Sequence, residues 1–192
     1  MTIAIVLIIA YLLGSLPTSY IVVHRMTGRD IRDLGDGNPG MMNVWDSVGL
    51  LAALIVGFGD IGKGMAAVSI AILTDAHEIA PTLAGLTAIL GHDYSIFLLL
   101  DGGNGMGPAV GAICALAPLA AAPAAAVAIV FWLILGSRRL AGSIGLLLVP
   151  GLAYITSNDP SVIAGVVACL TLAALKIIRF EGFTPARSRI EQ

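Results

Sequence analysis

Long apolar stretches separated by short polar segments dominate this chain. The apolar stretches are 3–23, 48–73, 79–100, 109–135, 144–155 and 162–178. A helix that crosses the hydrocarbon core of a bilayer needs about 20 mainly apolar residues, so most of these stretches predict membrane-spanning helices. The stretch 109–135 is long for one helix, and it contains Pro118 and Pro123, which can divide it into two short helices.

The positions of the basic residues predict how often the chain crosses the membrane. Nine of the ten lie in three segments, at 24–47, 136–143 and 176–189, and the tenth is Lys63 within a predicted helix. Basic residues in short loops mark the cytoplasmic side of a membrane. All three segments lie inside only if 109–135 crosses twice. The sequence therefore predicts an all-α integral membrane bundle of seven transmembrane helices, two of them short, with the N-terminus outside and the C-terminus cytoplasmic.

Composition supports a membrane protein. Hydrophobic residues make up 58% of the 192 residues and charged residues 11%, and the mean hydropathy is +0.96. Soluble domains carry about 25% charged residues, so this chain has too little polar surface for a soluble enzyme, a disordered chain or a nucleic-acid binder. We expect residues 1–192 to form a single membrane domain. Cys114 and Cys169 lie in apolar stretches and are expected to be buried thiols.

Four polar clusters interrupt the apolar pattern. They lie at 14–20, 35–44, 60–64 and 91–107. Asp60 and Lys63 are three residues apart, so they share a helix face and can pair. Ionisable residues inside a span are costly and indicate a functional site, although a self-neutralised pair that only fixes helix packing would have the same pattern. His92 and Asp93 form a second polar pair within a predicted span.

Two of the clusters are rich in glycine. Their candidate ligand-binding residues are Gly35, Gly37, Asn38, Gly40 and Asn43 in one and Gly102, Gly103 and Gly105 in the other. Such loops can aim successive backbone N–H groups into an anion-binding nest, although a flexible loop would have the same composition. Both lie inside in the predicted topology. The sequence therefore predicts a ligand with a phosphate group and an apolar tail, bound at the cytoplasmic interface of the bilayer.

The order and spacing of the four clusters resemble those of one family, the bacterial acyl-phosphate:glycerol-3-phosphate acyltransferases (PlsY). The resemblance covers about residues 1–156, and 139–150 is similar to a family segment with a serine like Ser143. It implies a compact seven-helix bundle in the bacterial plasma membrane. It also implies acyl transfer from acyl phosphate to the 1-hydroxyl of glycerol 3-phosphate, giving lysophosphatidate, with no cofactor, metal or acyl-CoA.

The resemblance also implies a set of site residues. The catalytic candidates are Asp36, Asn43, Lys63, His92 and Asn104. The candidates for binding substrate or phosphate are Gly35, Gly37, Asn38, Gly40, Asp60, Gly102, Gly103, Gly105 and Ser143. We find no motif for a nucleophilic serine or cysteine, so direct transfer is expected rather than a covalent intermediate.

Several site positions depart from the family motifs. Asp36 replaces a serine, Met42 a threonine, Asp46 an arginine, Asn104 a lysine, and Asp101 a residue that is usually basic. The family's C-terminal histidine and asparagine pattern is not visible in 176–189. These changes remove cations that bind phosphate strongly. Three interpretations remain open at this point: the acyltransferase, a non-enzymatic paralogue that binds lipid or regulates a partner, and a variant whose new carboxylates hold a divalent cation.

Overall fold

A computed structural model describes residues 2–157 and 159–181 of the chain. Within these residues the chain forms nine α-helices, two short 3₁₀ turns and no β-strand. The helices are α1 (Ile3–Ser15), α2 (Thr18–Thr27), α3 (Met41–Ser47), α4 (Leu50–Leu73), α5 (Ala80–Asp93), α6 (Met106–Leu116), α7 (Pro118–Leu135), α8 (Arg138–Ser157) and α9 (Pro160–Glu181). The 3₁₀ turns are Ile31–Asp33 and Ile96–Leu98. Arg187 and Arg189, two of the basic residues used to predict the topology, lie outside the described residues.

The break between α1 and α2 lies at Pro17. A residue before proline is sterically disfavoured in helical geometry, and Leu16 accordingly takes φ −54° and ψ 120°. The Leu16 carbonyl then points away from a helical partner and accepts hydrogen bonds from Thr18 N and from Lys63 Nζ. Pro17 therefore leaves the Leu16 carbonyl oxygen as an acceptor inside the bundle, and the buried ammonium group of Lys63 donates a hydrogen bond to it.

The stretch 109–135 forms two helices, as its prolines predict. α6 ends at Leu116, Ala117 is non-helical, and Pro118 is the first residue of α7, where its missing N–H costs no hydrogen bond. Pro123 lies inside α7 without ending it. Only α6, with 11 residues, is short, whereas α7 has 18 residues.

Two predicted boundaries differ from the structure. The helix formed by the apolar stretch 79–100 ends at Asp93 and does not continue to residue 100. Beyond it, Ser95 Oγ donates to Ser15 O at 2.5 Å, which turns the chain away from the helix axis. α8 begins earlier than its apolar stretch, at Arg138, so the second basic segment forms the first turn of a helix rather than a loop.

The exterior of the bundle is apolar, and its interior is packed with small residues. The described residues contain five helical segments long and apolar enough to cross a membrane: Ile3–Thr27, Leu50–Leu73, Pro118–Leu135, Arg138–Ser157 and Pro160–Ile178. Large apolar side chains such as Phe58 and Leu147 point outward, 76% and 80% exposed. The buried core is built largely from alanine, valine and glycine. Small residues let helices approach closely where lipid provides no hydrophobic drive between them.

α4 and α6 show this close approach at Gly64. A Cβ at Gly64 would collide with the Pro108 carbonyl oxygen. Because α4 carries Lys63 and α6 follows the second glycine-rich cluster, this contact fixes the distance between two of the four polar clusters.

Candidate functional site

Lys63 on α4 is 6% exposed, and all of its hydrogen-bond donors are engaged. Its Nζ lies 2.9 Å from Asp60 Oδ1, 3.1 Å from Leu16 O and 2.8 Å from His92 Nδ1. An ammonium group has three N–H donors, so these three contacts saturate it. The predicted pairing of Asp60 with Lys63 is confirmed. The lysine also ties α4 to the end of α1 and to the end of α5.

The contact with Lys63 determines which nitrogen of His92 carries hydrogen. Since Nδ1 accepts from the lysine ammonium, we assign the ring hydrogen to Nε2. Nε2 faces Gly103, where an added Cβ would collide with the imidazole. His92 is 7% exposed. It therefore presents an N–H donor, not a proton acceptor, to the second glycine-rich loop.

That loop is fastened to the end of α5. Gly102 N donates to Asp93 O at 3.2 Å, and Gly103 N donates to His92 O at 3.1 Å. These carbonyls lie in the last turn of α5, where no helical partner is available. Two of the predicted nest N–H groups are thus occupied. The N–H groups of the next residues, at the start of α6, make no hydrogen bond within the described part of the chain.

The first glycine-rich loop is organised by the Asn43 side chain, which is 3% exposed. Its Nδ2 donates to Leu34 O at 2.9 Å and to Asn38 O at 3.0 Å. Its Oδ1 accepts from Asp36 N at 3.3 Å and from Ser47 Oγ at 3.0 Å. The amide is therefore used within the loop, and Asn43 positions its neighbours.

The N–H groups of this loop are largely engaged in turns. Asp36 Oδ1 accepts from Asn38 N at 3.0 Å, a short-range turn that a serine hydroxyl can also make. Gly35 and Gly37 adopt φ +55° and +79°. Gly37 and Gly40 donate their N–H groups to carbonyls of the same loop. The loop is a self-contained turn rather than an open nest, and it has one shielded acceptor, Asn38 Oδ1, without a partner in the described residues.

The four polar clusters meet at one cleft. Its lining residues are Leu16, Pro17, Thr18, Ser19, Pro39, Lys63, His92, Ser95, Leu98 and Gly103. Each cluster contributes at least one of them. The free volume within the cleft is about 10 Å³, close to the space of one water molecule.

The carboxylates that replace family residues each lie beside an arginine of another segment. Arg138 Nη2 is 2.7 Å from Asp46 Oδ1, Arg32 Nη1 is 3.7 Å from Asp101 Oδ2, and Arg139 Nη2 is 4.0 Å from Asp36 Oδ2. In the described residues, no group of three or more His, Cys, Asp or Glu side chains could hold a metal ion. The interpretation in which these carboxylates share a divalent cation stays a prediction, and an activity assay with and without Mg²⁺ tests it.

Arg32 links the two loops. Its guanidinium binds Asp30 through Nη2 at 2.7 Å and through Nε, and its Nη1 reaches Leu98 O at 3.5 Å and the carboxylate of Asp101. The hydrogen bond from Arg32 holds the pKa of Asp30 below its usual value, and the same contact raises the pKa of Arg32. The pair stays charged at neutral pH.

A second buried lysine was not anticipated. The sequence places Lys176 with the cytoplasmic basic residues, but its side chain is only 6% exposed. Its Nζ donates to Asp93 O at 2.6 Å and lies 3.9 Å from Asp93 Oδ1. The expectation that Lys63 is the one cation inside the bundle is therefore wrong. The missed signal was Asp93 itself, because a carboxylate within a span needs a cationic partner.

Two predicted site residues are less directly connected to the cleft. Ser143 is exposed on α8 and donates to Arg139 O of its own helix at 3.0 Å. Asn104 is half-buried beside Gly103. No hydrogen bond of the described residues joins either side chain to Lys63 or His92.

The fold and the site together define a multi-pass α-helical membrane protein with a buried lysine–histidine–aspartate cluster beneath two glycine-rich loops. A family model for glycerol-3-phosphate acyltransferase matches residues 4–183. The chain belongs to this glycerol-3-phosphate acyltransferase family.

Individual relatives agree with this assignment. Glycerol-3-phosphate acyltransferase 1 of Dehalococcoides mccartyi is 42% identical over 120 residues, which are 61% of this chain and 57% of that protein. The match thus spans little more than half the length of that relative. Glycerol-3-phosphate acyltransferase of Trichlorobacter lovleyi is 34% identical over 88% of this chain and 86% of its own length.

A solved structure has the same fold. The glycerol 3-phosphate form of PlsY (YgiH), an integral membrane glycerol 3-phosphate acyltransferase, superposes with a TM-score of 0.81 and 27% identity. The match covers 94% of this chain and 88% of that one.

Proposed function

We propose that this chain is a membrane acyltransferase of phospholipid biosynthesis that transfers an acyl group from acyl phosphate to the 1-hydroxyl of glycerol 3-phosphate, giving lysophosphatidate. The observation that carries the proposal is the convergence of all four polar clusters on the cleft around Lys63 and His92. Both residues are buried, and the cleft is also lined by Pro39 of the first glycine-rich loop and Gly103 of the second. The family assignment supports the same substrate class.

The chemistry is a direct displacement. The hydroxyl oxygen forms a bond to the acyl carbon as the bond from that carbon to the phosphate oxygen breaks, and the hydroxyl proton leaves with the departing phosphate. His92 Nε2–H donates a hydrogen bond to an oxygen that gains negative charge in this step. Lys63 keeps His92 in the required tautomer, and Asp60 balances the charge of the lysine.

The N-terminus of α6 suits the departing phosphate. The first N–H groups of a helix lack helical partners and point along the positive end of the helix dipole, and such ends bind anions. Asn104 and Gly105 lead into this end, beside Gly103 of the cleft. In the first loop, Asn38 Oδ1 is an acceptor that a glycerol hydroxyl can satisfy, while Asn43 holds the loop in place.

The paired arginines bear on the non-enzymatic alternative. That alternative rested on a phosphate site stripped of its cations. Asp36 and Asp46 lie beside Arg139 and Arg138, so these two carboxylates are each balanced by an arginine, whereas Asp101 shares Arg32 with Asp30. We therefore favour an active enzyme.

We propose the predicted seven-helix topology in the bacterial plasma membrane, with the N-terminus outside and the C-terminus cytoplasmic. The three arginine contacts bring 30–47, 98–101 and the start of α8 to one face, as that topology requires. A cavity of about 220 Å³ at another place in the bundle is lined by residues of 72–82, 116 and 159–162. The junction of α6 and α7 thus meets the segments predicted outside, which supports two crossings by 109–135.

The test is an assay of the purified full chain with acyl phosphate and glycerol 3-phosphate, with and without Mg²⁺. We expect lysophosphatidate and inorganic phosphate in equal amounts in both conditions. His92→Phe, which fills the space but lacks the N–H, is expected to be inactive. Thr156→Val is the control and should keep wild-type activity, because Thr156 is exposed on α8 and bonds only within its own helix. Absence of product with every acyl-chain length would refute the proposal.

A further inference from the structure

The end of α5 is held by two buried lysines, of which the proposed chemistry uses only one. Lys63 from α4 binds His92, and Lys176 from α9 binds Asp93, the next residue. The two lysines approach consecutive residues from different helices. This arrangement places the ammonium group of Lys176 against Asp93, next to the cleft residue His92.

Lys176 and the second glycine-rich loop share an acceptor. Asp93 O accepts from Lys176 Nζ at 2.6 Å and from Gly102 N at 3.2 Å. The carbonyl lies in the last turn of α5, at the negative end of the helix dipole, where a cation is stabilising. The position of Gly102 is thus set by a group that Lys176 also holds.

The side chain of Asp93 strengthens this connection. Asp93 is 1% exposed, and its Oδ1 lies 3.9 Å from Lys176 Nζ. Lys176 Nζ also lies 4.8 Å from the centroid of the Tyr94 ring, a cation–π distance. Tyr94 O in turn accepts from Tyr11 OH of α1 at 2.8 Å. The residues that precede the loop are therefore fixed from α1 and from α9.

We propose that Lys176 is a positioning residue of the acyl transfer. Through Asp93 it holds the backbone of Gly102 and Gly103 against His92, and so sets the width of the cleft and the direction of the N–H groups at the start of α6. This inference rests on the proposed function. Lys176 acts through Asp93 and does not itself touch the substrate.

The experiment compares the full chain with Lys176→Met and Lys176→Arg in lipid nanodiscs. For Lys176→Met we expect kcat/KM for glycerol 3-phosphate to fall by about tenfold to a hundredfold, as a displacement near 1 Å can cost, with KM raised. Lys176→Arg keeps the cation and is expected to recover part of the loss. Thr171→Val is the matched control on α9, because Thr171 is exposed and bonds only within its own helix; it should have wild-type kinetics.

A double-mutant cycle separates the side chain of Asp93 from its backbone carbonyl. Asp93→Asn removes only the side-chain charge and leaves Asp93 O as the acceptor of Lys176, so adding Lys176→Met to Asp93→Asn should still lower kcat/KM. The double variant also removes both buried charges, so it keeps the experiment decisive if Lys176→Met alone does not fold. A double variant with the same kcat/KM as Asp93→Asn alone would overturn the proposal, since the contact of Lys176 with the backbone carbonyl would then contribute nothing. Wild-type kcat and KM in Lys176→Met would overturn it as well.

Hydrogen exchange of the backbone gives a readout independent of activity. In Lys176→Met, amides of 101–105 should exchange at least about tenfold faster while those of α4 keep their rates, because Lys176 holds Asp93 O, to which the loop is hydrogen-bonded. Unchanged exchange at 101–105 would overturn the proposal. If the wild-type chain makes no lysophosphatidate at all, the proposed function fails, and exchange at the loop still decides whether Lys176 positions it.

Discussion

Replacing Lys63 with methionine tests the centre of the site. The change keeps the length of the side chain and removes contacts to Asp60, Leu16 O and His92, at 2.9, 3.1 and 2.8 Å. Asp60 is 3% exposed and would keep a buried charge without its partner. Breaking such a pair by removing one partner costs about 3–5 kcal/mol. We expect the free energy of unfolding of Lys63→Met to fall by that amount.

The double variant Asp60→Asn/Lys63→Met distinguishes stability from chemistry. With both charges gone, most of the lost stability should return, because replacing a whole buried pair is often close to neutral. Activity should not return, since His92 has lost the donor that fixes its tautomer. Losing one transition-state donor costs about 10²–10³ in kcat, and we expect a reduction of that order in both variants.

Reversible unfolding in mixed micelles measures the first effect, and release of inorganic phosphate from acyl phosphate measures the second. Gly62→Ala is the control on the same helix, because an added methyl group there meets open space. It should leave activity unchanged and should not lower the free energy of unfolding, since alanine favours a helix more than glycine does. Lys63→Met with wild-type stability, or a double variant with wild-type activity, would refute the assigned role of the pair.

Three further predictions concern packing, surface charge and pH. Gly64→Ala should prevent stable folding, measured as loss of a cooperative thermal transition, because the new Cβ collides with a carbonyl of α6; a wild-type transition would contradict the close approach of α4 and α6. Arg138→Gln should lower the free energy of unfolding by at most about 1 kcal/mol, since its ion pair is half-exposed; a larger loss on chemical unfolding would show that the pair is shielded from solvent. The pKa of Asp30 in the folded protein lies below its unfolded value. Its pairing with Arg32 therefore stabilises the fold above about pH 4, and this contribution is lost as pH falls through the folded pKa. The difference in free energy of unfolding between wild type and Asp30→Asn should be constant above about pH 5 and vanish in acid, and a difference that grows below about pH 4 would contradict this expectation.

The hydrophobic pattern was sufficient to predict the membrane class and most helices. Apolar stretches of bilayer length leave few alternatives, because every backbone polar group in lipid must be satisfied within its own helix. The break in 109–135 was predicted correctly from its prolines, although Pro123 lies inside α7 and only Pro118 stands at a helix start. Proline is tolerated in the first turn of a helix and disfavoured inside it, so sequence alone suggested two candidate positions and the packing of α7 selected one.

The ends of helices were harder to predict. The apolar stretch beginning at 79 continues to 100, yet α5 stops at Asp93 because Ser95 bonds to the end of α1, 80 residues earlier in the chain. Hydropathy contains no information about such long-range hydrogen bonds. The charge of Lys176 was misassigned for a related reason, since the positive-inside rule treats each lysine as solvated.

The sequence by itself determined which residues this protein has for chemistry: a lysine and an aspartate one helical turn apart, a histidine near a helix end, and two glycine-rich loops. Local spacing fixes these features. Only the tertiary structure decided what each of them touches. Asn43 and the N–H groups of the first loop are used in holding that loop together. The carboxylates that replace family residues lie beside arginines from distant parts of the chain. Charge balance at a site depends on distances through space, and those are set when the helices pack.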